Sequence, residues 1–135
     1  MEVNFVGAFN ILSEAARQVV DGGTIIAVTT SLVRFAAPGL GPYSATKAAV
    51  ERLVRSMSKE LASRGVRVNA VAPGPVDTDL FRAGKNEEAL RRSAVLSPFN
   101  RVGQPQEIVE VVNFLASDKA SWVHGQIVQP NGGQV

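Results

Sequence analysis

Apolar residues recur along the chain in two rhythms, one helical and one short and continuous. Phe5, Ala8, Phe9, Leu12, Ala15, Ala16 and Val19 fall at helical spacing and stop at Asp21-Gly22-Gly23, which predicts a first helix. Thr24-Ile25-Ile26-Ala27-Val28-Thr29 is an unbroken run with β-branched residues, the pattern of a strand buried on both faces. A Gly/Pro-rich loop is predicted from Ser31 to Pro42. A second helix, about Tyr43 to Arg64, carries Val50, Leu53, Val54, Met57 and Leu61 on one stripe and stops at Gly65, a natural left-handed cap. Val66-Arg67-Val68-Asn69-Ala70-Val71-Ala72 reads as a second strand, broken by Pro73-Gly74-Pro75. Residues 76–103 are predicted mostly as loop, with a short helix near Asn86 to Ser93. Pro105 opens a third major helix through Ile108, Val109, Val112 and Leu115, and Ile127-Val128 is a last short strand before Asn131-Gly132-Gly133.

Helix, strand, helix, strand, helix, strand is the order of an α/β layer built on a parallel sheet. In such sheets ligands bind outside the carboxyl ends of the strands. The loop after Thr29 and the Pro73-Gly74-Pro75 loop are two such ends, and chemistry is expected there.

The 135 residues suit one domain, and 45% hydrophobic against 19% charged residues is enough apolar material for a packed core. The chain has no Cys, which excludes disulfides, thiolate nucleophiles and Cys-based metal sites. His124 is the single histidine, which excludes His-pair metal motifs. The net charge is +2, and the longest basic run is Arg91-Arg92, so there is no basic stripe of the kind a nucleic-acid binder shows. No apolar run approaches the ~20 residues of a membrane span. Met1-Glu2-Val3-Asn4 lacks the basic start of a secretory signal. The expectation is a cytoplasmic protein that engages neither nucleic acid nor membrane.

Tyr43-Ser44-Ala45-Thr46-Lys47 is the most informative local feature. On a helix, positions four apart lie on one face. An ammonium beside a phenol favours the phenolate, which makes a tyrosine a usable general acid/base. From spacing alone, an aromatic helix start with a solvated lysine one turn later is the favoured reading; the surrounding sequence reverses that.

Taken together with its surroundings, the chain resembles the short-chain dehydrogenase/reductase family. The resemblance is carried by Asn4 in Val3-Asn4-Phe5-Val6-Gly7, Thr29-Thr30-Ser31, Pro38-Gly39 and Tyr43 through Lys47. It continues through Val68-Asn69-Ala70-Val71-Ala72-Pro73-Gly74, Arg101-Val102-Gly103-Gln104-Pro105, Phe114-Leu115-Ala116-Ser117, Gly125-Gln126 and Asn131-Gly132-Gly133. The branch it looks most like is the bacterial one similar to 3-oxoacyl-carrier-protein reductases. The resemblance implies NAD(P)-dependent hydride transfer between a cofactor and a small-molecule carbonyl or alcohol, with NADP favoured weakly. It implies Tyr43 as acid/base, and Lys47 as the residue that favours the Tyr43 phenolate and bonds the nicotinamide ribose. Asn4 would hold a relay water; a helix-capping role is the alternative. Pro73, Gly74, Val76 and Thr78 would line the nicotinamide, or the Pro/Gly cluster could simply end a strand. The family's substrate-orienting serine falls at Thr30 here, with Ser31 one residue later. Either hydroxyl could serve, Ser31 by way of a small bulge.

The family's Thr-Gly-x-x-x-Gly-x-Gly turn, whose backbone approaches the pyrophosphate, has no counterpart in the sequence. The expected fold is therefore a partial Rossmann-like three-layer α/β fold, its short parallel sheet matching family strands 5, 6 and 7. Residues 1–135 are expected to be the C-terminal catalytic half of that domain, inactive alone. The Thr24–Thr29 strand is expected to be an apolar edge that favours a homo-oligomer. The alternative reading is a non-catalytic truncated association module, or a gene remnant.

Overall fold

The computed structural model describes residues 2–135. A π-helical turn, Glu2–Gly7, leads into α1, Ala8–Gln18. Then come β1 (Thr24–Val28), α2 (Gly41–Glu60), β2 (Arg67–Val71), α3 (Asp79–Arg82), α4 (Glu87–Ala94), α5 (Pro105–Ala116) and β3 (Ile127–Val128). The three strands are parallel in the order β1-β2-β3, with Thr24 opposite Arg67, Val28 opposite Val71, and Ala70 opposite Ile127.

Period-two alternation divides the sheet between two helix layers. Ile25, Ala27, Val68 and Ala70 pack with Leu12 of α1 and with Val50, Val54 and Met57 of α2. On the opposite face Ile26, Val71 and Val128 meet Ile108, Val112 and Leu115 of α5. Val54, Val68 and Leu115 are fully buried, and each such side chain stabilises the fold by about 1.5–3 kcal/mol.

Polar side chains, Asn69 buried and Arg64, Arg67 and His124 half-buried, lock these layers together. Arg64 reaches across to the α1 end, donating to the Ala16 carbonyl at 2.6 Å and pairing with Asp21 at 2.8 Å. Arg67 donates to the carbonyls of Leu115 at 2.7 Å, and of Ser117 and Ala120 at 3.1 Å, neutralising the carbonyl end of α5. Asn69, wholly buried, donates to Val123 O and accepts from Gln126 N–H, both at 2.9 Å, which fixes the approach to β3. His124 is structural as well: Nδ1 accepts from Val68 N–H, and Nε2 lies 2.6 Å from Ser58 O.

Three local expectations need correction. The first strand ends at Val28 rather than Thr29, although Thr29 N–H still donates to Val71 O at 2.8 Å, and Val28 is 59% exposed, so the strand is not buried on both faces to its end. The second helix starts at Gly41 rather than Tyr43, with Pro42 in its first turn, and gives way after Glu60 to a 3-10 turn at Ala62–Arg64. Gly65 then takes the left-handed conformation, φ +66°. The segment after β2 carries the short helix expected near Asn86 to Ser93 and, before it, an additional turn of helix, α3, that was not expected. Thr78 Oγ1 accepts from Phe81 N–H at 3.1 Å and starts α3, as Asn86 Oδ1 accepts from Ala89 N–H at 2.9 Å and starts α4.

Candidate active site

The carboxyl ends of β1 and β2 open into a cleft of about 680 Å³. Thr30, Tyr43, Pro73, Gly74, Val76 and Thr78 all line it, with Val109, Val112 and Asn113 of α5 on the far side. Tyr43 stands in the first turn of α2 and is 38% exposed. One turn later, Lys47 Nζ lies 5.9 Å from the centre of the Tyr43 ring. Lys47 itself lines a second cleft, of about 580 Å³, together with Asn4, Gly7 and Asn10. Tyr43 lines the first cleft and Lys47 the second, one turn apart on α2. Asn4 lies inside the π-helical turn and caps nothing, since the cap position of α1 is Gly7.

The two candidate hydroxyls have different surroundings. Thr30 is extended, φ −156° and ψ 145°, with no bulge, and its Oγ1 accepts from Leu32 N–H at 3.2 Å. That leaves its own proton free. Ser31 is buried at 1% exposure: its hydroxyl donates to Ala72 O at 2.7 Å and accepts from Asn131 Nδ2 at 3.0 Å. Asn131 Oδ1 in turn accepts from Gly133 and Gln134 N–H at 3.0 and 3.2 Å. The Asn131-Gly132-Gly133 turn is thus tied behind the cleft rather than facing it.

The cleft floor is a short parallel bridge between Val76 and Gly103. Gly103 N–H donates to Pro75 O at 2.9 Å and Asp77 N–H donates to Gly103 O at 2.8 Å. In parallel pairing the central residue's own N–H and C=O point away from its partner, so Gly103 leaves those of Val76, which lines the cleft, unused. Two ion pairs brace this floor. Asp77 pairs with Arg82, whose hydrogen bond holds the carboxyl below its ordinary value. Glu107 receives Arg101 at 2.7 and 2.8 Å and Gln104 N–H at 2.8 Å, and these hydrogen bonds, the Arg101 ones foremost, pull its carboxyl down to about 2.

Sequence reasoning missed one further charged group. Glu51, buried at 5% exposure, takes both Arg34 nitrogens at 3.0 and 2.7 Å and the Thr29 hydroxyl at 2.9 Å. That fork raises the Arg34 guanidinium above its ordinary value. The available signal was spacing: Glu51 stands four residues after Lys47, on the same stripe.

A family model described as Enoyl-(Acyl carrier protein) reductase matches residues 1–134. A chloroplastic NADPH-dependent aldehyde reductase-like protein of Arabidopsis thaliana is 47% identical over 98% of this chain and 50% of its own length. The chain belongs to the short-chain dehydrogenase/reductase family. A 3-oxoacyl-(acyl-carrier-protein) reductase FabG of Staphylococcus aureus is 39% identical over 98% of this chain and 54% of its own. The solved angucycline C-6 ketoreductase LanV with bound NADP superposes with a TM-score of 0.90 at 37% identity, covering 98% of this chain and 51% of that one. The chain therefore spans about half the length of the curated relatives it matches. The family's Rossmann-type architecture is present as a three-strand parallel sheet with helices on both faces. Among the described residues, no helix is long and apolar enough to cross a membrane, and no cluster of His, Cys, Asp or Glu could hold a metal ion.

Proposed function

We propose that residues 1–135 form the catalytic half of a short-chain dehydrogenase/reductase domain, in which Tyr43 exchanges a proton with a small-molecule carbonyl or alcohol during NAD(P)-dependent hydride transfer. The observation that carries this reading is one cleft lined by the Tyr43 ring, Thr30 and the Pro73–Thr78 turn, with the Lys47 ammonium one helical turn from the phenol. NADPH is the first cofactor to test, because the aldehyde reductase-like relative is named for it and the ketoreductase neighbour was solved with NADP.

The residues present fit the nicotinamide end of that cofactor. Val76 offers the cleft an adjacent backbone donor and acceptor, the complement of a primary carboxamide, beside the apolar wall of Val109 and Val112. The cofactor, when bound, supplies the hydride. Tyr43 delivers the proton to the carbonyl oxygen. Thr30 holds the same oxygen, since its Oγ1 accepts a hydrogen bond from Leu32 N–H and keeps its own proton to donate. Lys47 favours the phenolate left on Tyr43 and would bond the nicotinamide ribose. Asn4, on the same second cleft as Lys47, is suited to hold a water that returns protons to the pair.

The test joins residues 1–135 behind the dinucleotide-binding half of a relative and follows NADPH oxidation with aldehydes and ketones. Tyr43→Phe in that protein should lower turnover by about 10²–10⁴-fold, the worth of a positioned acid, with cofactor binding retained. Unchanged turnover would sink the mechanism. For the 135 residues alone, the open edge of β1 favours a second reading, association of the chain with itself through Val28 and the unpaired backbone beside it.

A further inference from the structure

Arg34 and Glu51 play no part in the chemistry above, yet they form an ion pair beside it, with the Glu51 carboxylate buried and the Arg34 side chain partly exposed. Tyr43, Lys47 and Glu51 follow one another at four-residue steps on α2 and share one stripe. Helical side chains lean toward the N-terminus of their helix, which aims Glu51 at the Lys47 turn and away from exposed Arg55, one turn further on. Opposite charges four apart on a helix attract. A Lys47–Glu51 pair would draw the ammonium away from Tyr43. In the structure this competition is settled, because Arg34 holds both carboxylate oxygens and the Thr29 hydroxyl adds a third bond.

We propose that Arg34 is a positioning residue for the acid/base pair: its fork occupies Glu51, keeps that carboxylate off Lys47 and leaves the ammonium to Tyr43. A planar guanidinium can do this where a point charge could not, since it meets both oxygens at once. The charges around the pair are few. Tyr43 is the one titratable residue lining the large cleft, and Lys47 the one lining the second. The significance for catalysis rests on the reading of Tyr43 as the acid/base; the charge partition itself does not.

The chain contains a single tyrosine, so tyrosinate absorbance followed against pH reports Tyr43 alone, without substrate or cofactor. Drawing away the ammonium that lies 5.9 Å from the ring centre should move the midpoint up, because a nearby positive charge favours the phenolate. Arg34→Gln should show that upward shift, Glu51→Gln alone should leave the midpoint in place, and the double variant should return to it. A mere loss of packing at Arg34 would not be repaired by Glu51→Gln. An Arg34→Gln midpoint equal to that of the unaltered chain overturns the proposal, as does a double variant shifted as far as the single. If Arg34→Gln does not fold, Arg34→Lys, which holds one oxygen rather than two, carries the same comparison with a smaller shift. In the chain joined to a dinucleotide-binding half, Arg34→Gln should lower kcat with KM for the carbonyl unchanged. Absence of turnover in the unaltered joined chain would refute the proposed function, and the absorbance series would still decide the role of Arg34.

Discussion

Gly74 sits where the turn after β2 crosses the Asn131 turn, and the space there admits no side chain. A Cβ at this position would lie 2.8 Å from Asn131 Cβ, 3.0 Å from Asn131 Cα and 3.1 Å from Gln134 Oε1. Two of the three are not free to swing aside. Asn131 is held by Ser31 and by the N–H groups of Gly133 and Gln134. Gly74→Ala must therefore push the two turns apart, and overpacking of this kind costs about 1–3 kcal/mol. For a domain of this size the melting temperature should fall by roughly 3–12 °C. Gly41→Ala is the control, because nothing lies within 4 Å of its Cβ position and it opens α2. There the change should be neutral or stabilise by up to about 1 kcal/mol. Thermal and urea melts of both variants followed by circular dichroism make the comparison. If Gly74→Ala melts within a degree of the unaltered chain, the account of the Gly74 and Asn131 turns as a tightly packed crossing is wrong.

The hydroxyl pair should separate cleanly in mutants. Ser31→Ala should destabilise by about 1–3 kcal/mol, because it strands the Asn131 amide, whereas Thr30→Ala should change stability less and lower turnover in the joined protein. Equal effects from both, in either assay, would contradict the division of roles. Glu107 should give the cleft floor an acid-sensitive component. Its carboxyl sits near 2 in the fold against 4.5 as the ordinary value, so the folded chain takes up that proton less readily than the unfolded one. The stabilisation is present above pH 4.5 and fades as pH falls toward 2. The melting-temperature gap between the unaltered chain and Glu107→Gln should narrow over that window, and a constant gap would refute the linkage. The 135 residues by themselves should show little NADPH affinity by calorimetry, since the backbone donors of a Gly-rich turn supply much of the pyrophosphate binding. Light scattering should show self-association, and a monodisperse monomer binding NADPH at micromolar concentration would contradict both expectations.

Periodicity and punctuation in the sequence were enough to locate the three long helices and three strands, because burial on one face or two imposes its rhythm on the chain directly. Helical spacing puts Tyr43 and Lys47 on one face, but spacing alone favoured a solvated lysine, and it was the resemblance to a family that marked them as an acid/base pair. Resemblance to a family then singled out Thr30, Ser31 and the Pro73–Thr78 turn, but left the two hydroxyls equivalent. Only the tertiary structure distinguishes them, since it is Ala72 and Asn131, 41 and 100 residues away in sequence, that consume the Ser31 hydroxyl. The Arg34–Glu51 fork escaped notice because a loop arginine and a helical glutamate, 17 residues apart, carry no periodic signal that they will be paired. The Val76–Gly103 bridge likewise joins two segments that read locally as loop. Local sequence determines which way the backbone runs and which face is apolar. Which polar groups remain free for chemistry is decided by long-range partners, because a buried donor or acceptor takes whatever complement the fold places beside it.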